Sequence, residues 1–136
     1  MSQENVEVVR RVYEASARRD SAAVLALYDP EVEIDVTHGA VGEVAGRTVH
    51  HGHEGLRTFF RAWYEAWESV EPELQDLIDA GAQVVSIEVT RGRGRASGAE
   101  VELQQYGVWT IRDGKIVRSR WFTRRQEALE AAGLSE

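Results

Sequence analysis

Four histidines, His38, His50, His51 and His53, fall within sixteen residues of one another. Imidazole titrates near neutral pH, so such a cluster is the first place to look for acid–base chemistry. His38 continues the alternation of Val32, Ile34 and Val36, which turns it toward whatever those side chains bury. It is the expected catalytic group, and His53 is an expected contact at the same site. The alternative reading makes all four polar loop residues, with His53 near a helix start whose dipole disfavours the protonated ring. No metal is expected. His53-Glu54 begins like a zinc-protease helix, but position 57 is arginine where the second ligand belongs, and adjacent His50 and His51 rarely converge on one ion.

A second polar point lies in the run 99–112. Val101, Leu103, Gln105, Gly107, Trp109 and Ile111 share one face of a strand there. Glycine inside a strand marks a bend or a close approach, and a buried glutamine needs hydrogen-bond partners. Gln105 and Gly107 thus predict a polar centre on a concave, otherwise apolar face. The structural alternative is a bend with Gln105 satisfied by backbone. Ser119 and Trp121 share a face of the next strand, and with Tyr13, Phe60, Trp63 and Trp109 they are the expected walls of a pocket for a small, largely apolar molecule.

Other chemistries fail on spacing. The chain has no cysteine, which removes disulfides, thiol nucleophiles and thiolate-bound metals. The run Gly92-Arg-Gly-Arg-Ala-Ser-Gly joins two strands and precedes no helix, so it is no dinucleotide fingerprint, and no nucleophile elbow occurs. No cofactor is expected.

These residues need elements to position them. Val6, Val9 and Tyr13 give an amphipathic helix over 3–19, and Asp20 or Ser21 caps a second over 22–28 that Pro30 ends. Val32, Ile34 and Val36 alternate in a strand over 31–37, followed by an irregular stretch with Gly39, Gly42 and Gly46. Leu56, Phe59, Phe60, Trp63 and Trp67 form one stripe of a helix from about Glu54 to Trp67, too broad for a single helix to cover. Its partner is a set of strands near 70–79, 83–91, 99–112 and 115–124. Asp113-Gly114 supplies a tight hairpin, and the short turns make the sheet antiparallel. A closing helix spans 126–132, with Gly133 as its stop and Leu129 and Leu134 spaced for the cap contact.

The totals agree. A length of 136 residues predicts one domain, 1–136, with an ordinary balance of apolar and charged residues. The net charge of −7 disfavours nucleic acid or an anionic membrane as a partner. The longest apolar run, Ala22 to Tyr28, is seven residues, and the start lacks a secretory pattern, so a cytoplasmic protein is expected.

In this order the elements resemble the SnoaL-like branch of the nuclear transport factor 2-like superfamily. The resemblance is carried by Val9-Arg-Arg-Val-Tyr, Leu27-Tyr-Asp-Pro-Glu-Val-Glu, the third-helix stretch from Gly52 to Phe60, Trp109-Thr-Ile-Arg-Asp-Gly-Lys-Ile, and the tail from Glu127 to Leu134. It implies an α+β fold: a cone in which a curved antiparallel sheet wraps a long helix, often as a homodimer, with a pocket between. It also implies a choice between cofactor-free isomerase, cyclase or dehydratase chemistry and a non-catalytic domain that binds a ligand or protein. The steroid-isomerase triad falls on Val12, Val36 and Gly107. Tyr13 and Asp35 are each one residue away, a step that flips a strand residue to the other face.

Overall fold

The computed structural model describes residues 2–134. Helices α1 (Ser2–Ala17) and α2 (Ser21–Ala26) precede strand β1 (Tyr28–Asp35). Helix α3 (Gly39–Ala45), strand β2 (Val49–His51) and helix α4 (Gly52–Glu65) follow. Strands β3 (Trp67–Ala80), β4 (Gln83–Gly94), β5 (Glu100–Arg112) and β6 (Lys115–Phe122) and helix α5 (Arg125–Ala131) complete the chain.

One six-stranded curved sheet runs in the order β2-β1-β6-β5-β4-β3. The consecutive strands β3 to β6 are antiparallel, as short turns require. Strand β1 instead lies parallel to β6, because two helices and four strands separate the two and leave room to return in the same sense. The fold is the expected α+β cone, with this parallel pair as the departure from an all-antiparallel sheet.

Local signals act as their chemistry dictates. Asp20 accepts from the Ala23 amide at the start of α2. Asp113 and Gly114 both adopt positive φ, the geometry of a two-residue hairpin whose twist matches its strands. At the end of α5, the Leu134 amide reaches the Leu129 carbonyl at 2.8 Å and Gly133 sits at positive φ.

Two segments depart from expectation. The glycine-bearing stretch after β1 contains α3 and β2, because burying Val41 against the core outweighs the poor helix propensity of its neighbours. Trp67 does not extend the helical stripe. It opens β3, where its ring meets Trp63 edge-on at 5.4 Å.

The middle of the sheet, along β4 and the second half of β5, is buried on both faces. Inside, Val9, Val12, Leu56, Phe59, Ile34 and Trp109 join the larger core between sheet and helices. Outside, Val85, Ile87, Tyr106 and Val108 are covered by Ala128 and Leu129 of α5. Among the described residues no helix is long and apolar enough to cross a membrane.

Candidate functional site

Strand β4 reads Val84-Val85-Ser86-Ile87-Glu88-Val89-Thr90, so Ser86, Glu88 and Thr90 share one face. On a one-sided sheet that polar face would meet water. Here α5 claims Val85 and Ile87 on the outer face, and the polar set points inward. Glu88 is 5% exposed and Gln105, its cross-strand neighbour on β5, is 2% exposed.

The inner face encloses a cavity of about 90 Å³ between sheet and helices. Its walls include Val12 and Tyr13 from α1, Phe59, Phe60 and Trp63 from α4, and Trp109, Ser119 and Trp121 from β5 and β6. Of the nine residues expected at the site from sequence, seven therefore stand on its wall: Tyr13, Phe60, Trp63, Gln105, Trp109, Ser119 and Trp121. His38 and His53 do not. The Asp35 carboxylate accepts from the Thr37 amide and hydroxyl, which turns the chain as β1 ends. His38 then lies exposed ahead of α3, its ring stacked on Phe122 at 5.8 Å. His53 binds the Tyr28 carbonyl oxygen through Nε2 at 2.8 Å.

The isomerase-like positions separate in the same way. Val36 is fully buried, and Asp35 faces Arg118 on the opposite side of the sheet, its carboxyl held below the usual range. Burial opposes that lowering, but the Thr37 bonds, His38 and Arg118 outweigh it. On helix α1 the one-residue offset matters less, because a 100° step leaves both Val12 and Tyr13 on the cavity wall.

Tyr13 is the centre of the polar arrangement. Its hydroxyl donates to Glu88 Oε1 at 2.5 Å, and its oxygen lies 3.0 Å from Ser86 Oγ. A phenol has one proton, so with that proton on Glu88 the serine is the donor to Tyr13. Trp109 Nε1 in turn donates to Ser86 Oγ at 2.8 Å. Indole, serine, tyrosine and carboxyl thus form one chain of bonds pointing the same way, the arrangement in which each bond polarises the next. Gly107 makes it possible. A Cβ there would lie 2.7 Å from both Ser86 Oγ and Trp109 Nε1.

The other carboxyl oxygen, Glu88 Oε2, accepts from Thr90 Oγ1 at 2.6 Å and Gln105 Nε2 at 3.2 Å. Among the described residues no lysine, arginine or histidine lines the cavity. Burial without a counter-charge pushes the Glu88 pKa up, and the bonds from Thr90, Tyr13 and Gln105 offset this only in part. Burial, with the Glu88 charge second, raises Tyr13 well above the usual phenol range. Gln105 Oε1 is buried without a partner. A half-turn of that amide would present this acceptor to a protonated Glu88, so the site has hydrogen bonds for both states of the acid.

Glu88, Ser86 and Thr90 were missed from sequence. Their alternation with valines and isoleucine reads as a solvent-facing pattern, and only the need of a buried Gln105 for hydrogen-bond partners pointed toward polar groups beside it.

Residues 9–119 match the family model described as a SnoaL-like domain. The chain belongs to the SnoaL-like domain family. Solved members of the wider fold extend the match along almost the whole chain. An NTF2-like protein of unknown function from Burkholderia pseudomallei K96243 is 25% identical with a TM-score of 0.79, over 96% of this chain and 97% of that one. An NTF2-like protein from Burkholderia thailandensis E264 is 29% identical with a TM-score of 0.77, over 94% and 95%. A putative SnoaL-like polyketide cyclase from Jannaschia sp. CCS1 has the same fold, at 20% identity and a TM-score of 0.77, over 97% and 92%. No curated protein matches. Among the described residues, this SnoaL-like domain has no cluster of side chains that could hold a metal ion.

Proposed function

We propose that this SnoaL-like domain binds a small, largely apolar molecule in the cavity and moves a proton on it without a cofactor. Glu88 is the acid–base group and Tyr13 the hydrogen-bond donor beside it. The reading is carried by one observation: an ionisable carboxyl buried on an aromatic wall, with no cationic side chain among the described residues in the cavity to hold it ionised. Such a group binds a proton more tightly than a free glutamate, which suits exchange near neutral pH.

In its ionised form Glu88 takes a proton from a carbon beside a carbonyl, and the electron pair stays on the substrate as an enolate. Once Glu88 is neutral, the Tyr13 hydroxyl no longer faces an anion on the protein and can donate to the enolate oxygen. Return of the proton at another carbon completes an isomerisation, with nothing gained or lost. His38 has no part in this scheme, because it lies outside the cavity wall.

A second reading has its own support. At about 90 Å³ the cavity is well below the roughly 300–1,000 Å³ of most ligand pockets. The aromatics fill much of the space, as they would in a binding domain without chemistry. Proton exchange separates the two readings. In heavy water, the parent should speed deuterium uptake beside the carbonyl of cyclopentanone, followed by NMR, and Glu88→Gln should slow it by about 100-fold or more. Equal rates in parent and variant would leave only the binding reading. The proposal includes the homodimer that the family resemblance implies and a cytoplasmic setting. A monomer mass by light scattering would remove the dimer.

A further inference from the structure

Next to the cavity lies a larger groove of about 590 Å³, between the corner joining α1 to α2 and the outer side of α4. The two share Ser16, Phe60 and Tyr64 as common wall and so lie side by side. Four arginines line it: Arg19, Arg57, Arg61 and Arg95. Only two carboxylates do, Asp20 and Glu65, and Asp20 is engaged in capping α2.

Among the described residues none of the four arginines is ion-paired with a carboxylate. Arg61 and Glu65 stand four apart on α4, yet no ion pair joins them. Arg95 donates from Nε to the Glu65 carbonyl at 3.0 Å and from Nη2 to the Trp67 carbonyl at 2.8 Å, which fixes its guanidinium in place but leaves its charge uncompensated. Arg19 holds its guanidinium 5.3 Å from the centre of the Tyr64 ring, on the shared wall. Elsewhere on this acidic chain, Arg10, Arg47, Arg91, Arg93 and Arg118 each pair with a glutamate. The groove is therefore a concentration of unpaired positive charge on a protein of net charge −7. It faces a cavity whose own ionisable group is an acid.

We infer that the ligand is an amphipathic acid, with its apolar body in the cavity and its carboxylate among the arginines of the groove. Guanidinium groups present paired donors that match a carboxylate, and unpaired ones have no partner to give up. An anion placed beside Glu88 would be repelled, so the charge must sit at the groove end and the reacting carbon at the cavity end. The arrangement orients the molecule before any chemistry occurs. The inference rests on the cavity being a ligand chamber.

Three probes of equal chain length test it: octanoate, octan-1-ol and octylammonium. Titration at low salt should give octanoate about a tenfold lower Kd than octan-1-ol, with octylammonium weakest. That advantage should shrink at high salt and vanish in an Arg57→Gln/Arg61→Gln double variant, while octan-1-ol binds the double variant as before. Both residues are exposed, so the fold should persist, checked by an unchanged Tm. The Trp109 indole N–H resonance, from the cavity wall, reports whether each probe fills the cavity. If octan-1-ol shifts that resonance and octanoate gains no affinity over it, the arginine groove is not the anion site, and the chamber stands. If octanoate binds in a salt-dependent way without shifting it, the two-part ligand is wrong. If no probe shifts it, chamber and groove readings fall together.

Discussion

Glu88 is the residue on which most depends, and its burial makes a signed pH prediction. The folded protein holds the Glu88 proton more tightly than the unfolded chain does, because burial raises its pKa. The stability this contributes is fully present below the ordinary glutamate pKa and is lost as pH rises through the raised one. Urea denaturation of parent and Glu88→Gln from about pH 4 to about pH 8 should show the variant gaining on the parent as pH rises. A constant difference would mean that the carboxyl is not buried as described. Ser86 gives a second test. Ser86→Ala removes the acceptor of a buried indole N–H and should cost about 1–3 kcal/mol, more than the loss of one hydroxyl group from a surface. Seven wall residues were legible because aromatic bulk and strand parity fix direction. Glu88 was not, since parity shows that residues share a face but not which face has water. His38 misled for a related reason: its parity holds only while the strand continues, and the Asp35–Thr37 turn ends it.

Strand β5 decides how closely elements can meet. Gly107 faces Ser86 across the β4–β5 ladder and Trp121 across the β5–β6 ladder. Alanine normally suits a strand better than glycine. Here its methyl group would lie 2.7 Å from two polar atoms and 3.1 Å from the Trp121 ring. Gly107→Ala should therefore destabilise by about 1–3 kcal/mol in chemical denaturation and displace the Trp109 indole N–H resonance. A neutral or stabilising result would contradict the close approach. The glycine itself was readable as a mark of a bend or a close approach. Which atoms approach it was not, because they come from strands whose register the sequence alone does not supply. Helix α3 was hidden for a different cause: local propensity argued against it, and burial of Val41 in a distant core decided it.

At the scale of the molecule, the sheet separates two cores with different duties. The inner one carries polar side chains and a cavity; the outer one is apolar and closed by α5. Leu129→Ala, on the outer side, should cost about 2–3 kcal/mol of stability and leave the affinity of any cavity ligand unchanged. A parallel change in ligand affinity would show that the two faces are coupled. The order of elements was legible across nearly the whole chain. The parallel return of β1 beside β6 was not, since strand direction there depends on the path of the chain between β1 and β3 rather than on any short turn.

The bond from Trp109 to Ser86 also has an optical consequence. An indole whose N–H ends a chain of hydrogen bonds leading to Glu88 experiences a different field when that acid loses its proton. In a protein whose other tryptophans, Trp63, Trp67 and Trp121, are replaced by phenylalanine, the emission of Trp109 becomes a built-in dye. It would report the protonation of the cavity, and the arrival of anything that displaces the chain, without a label.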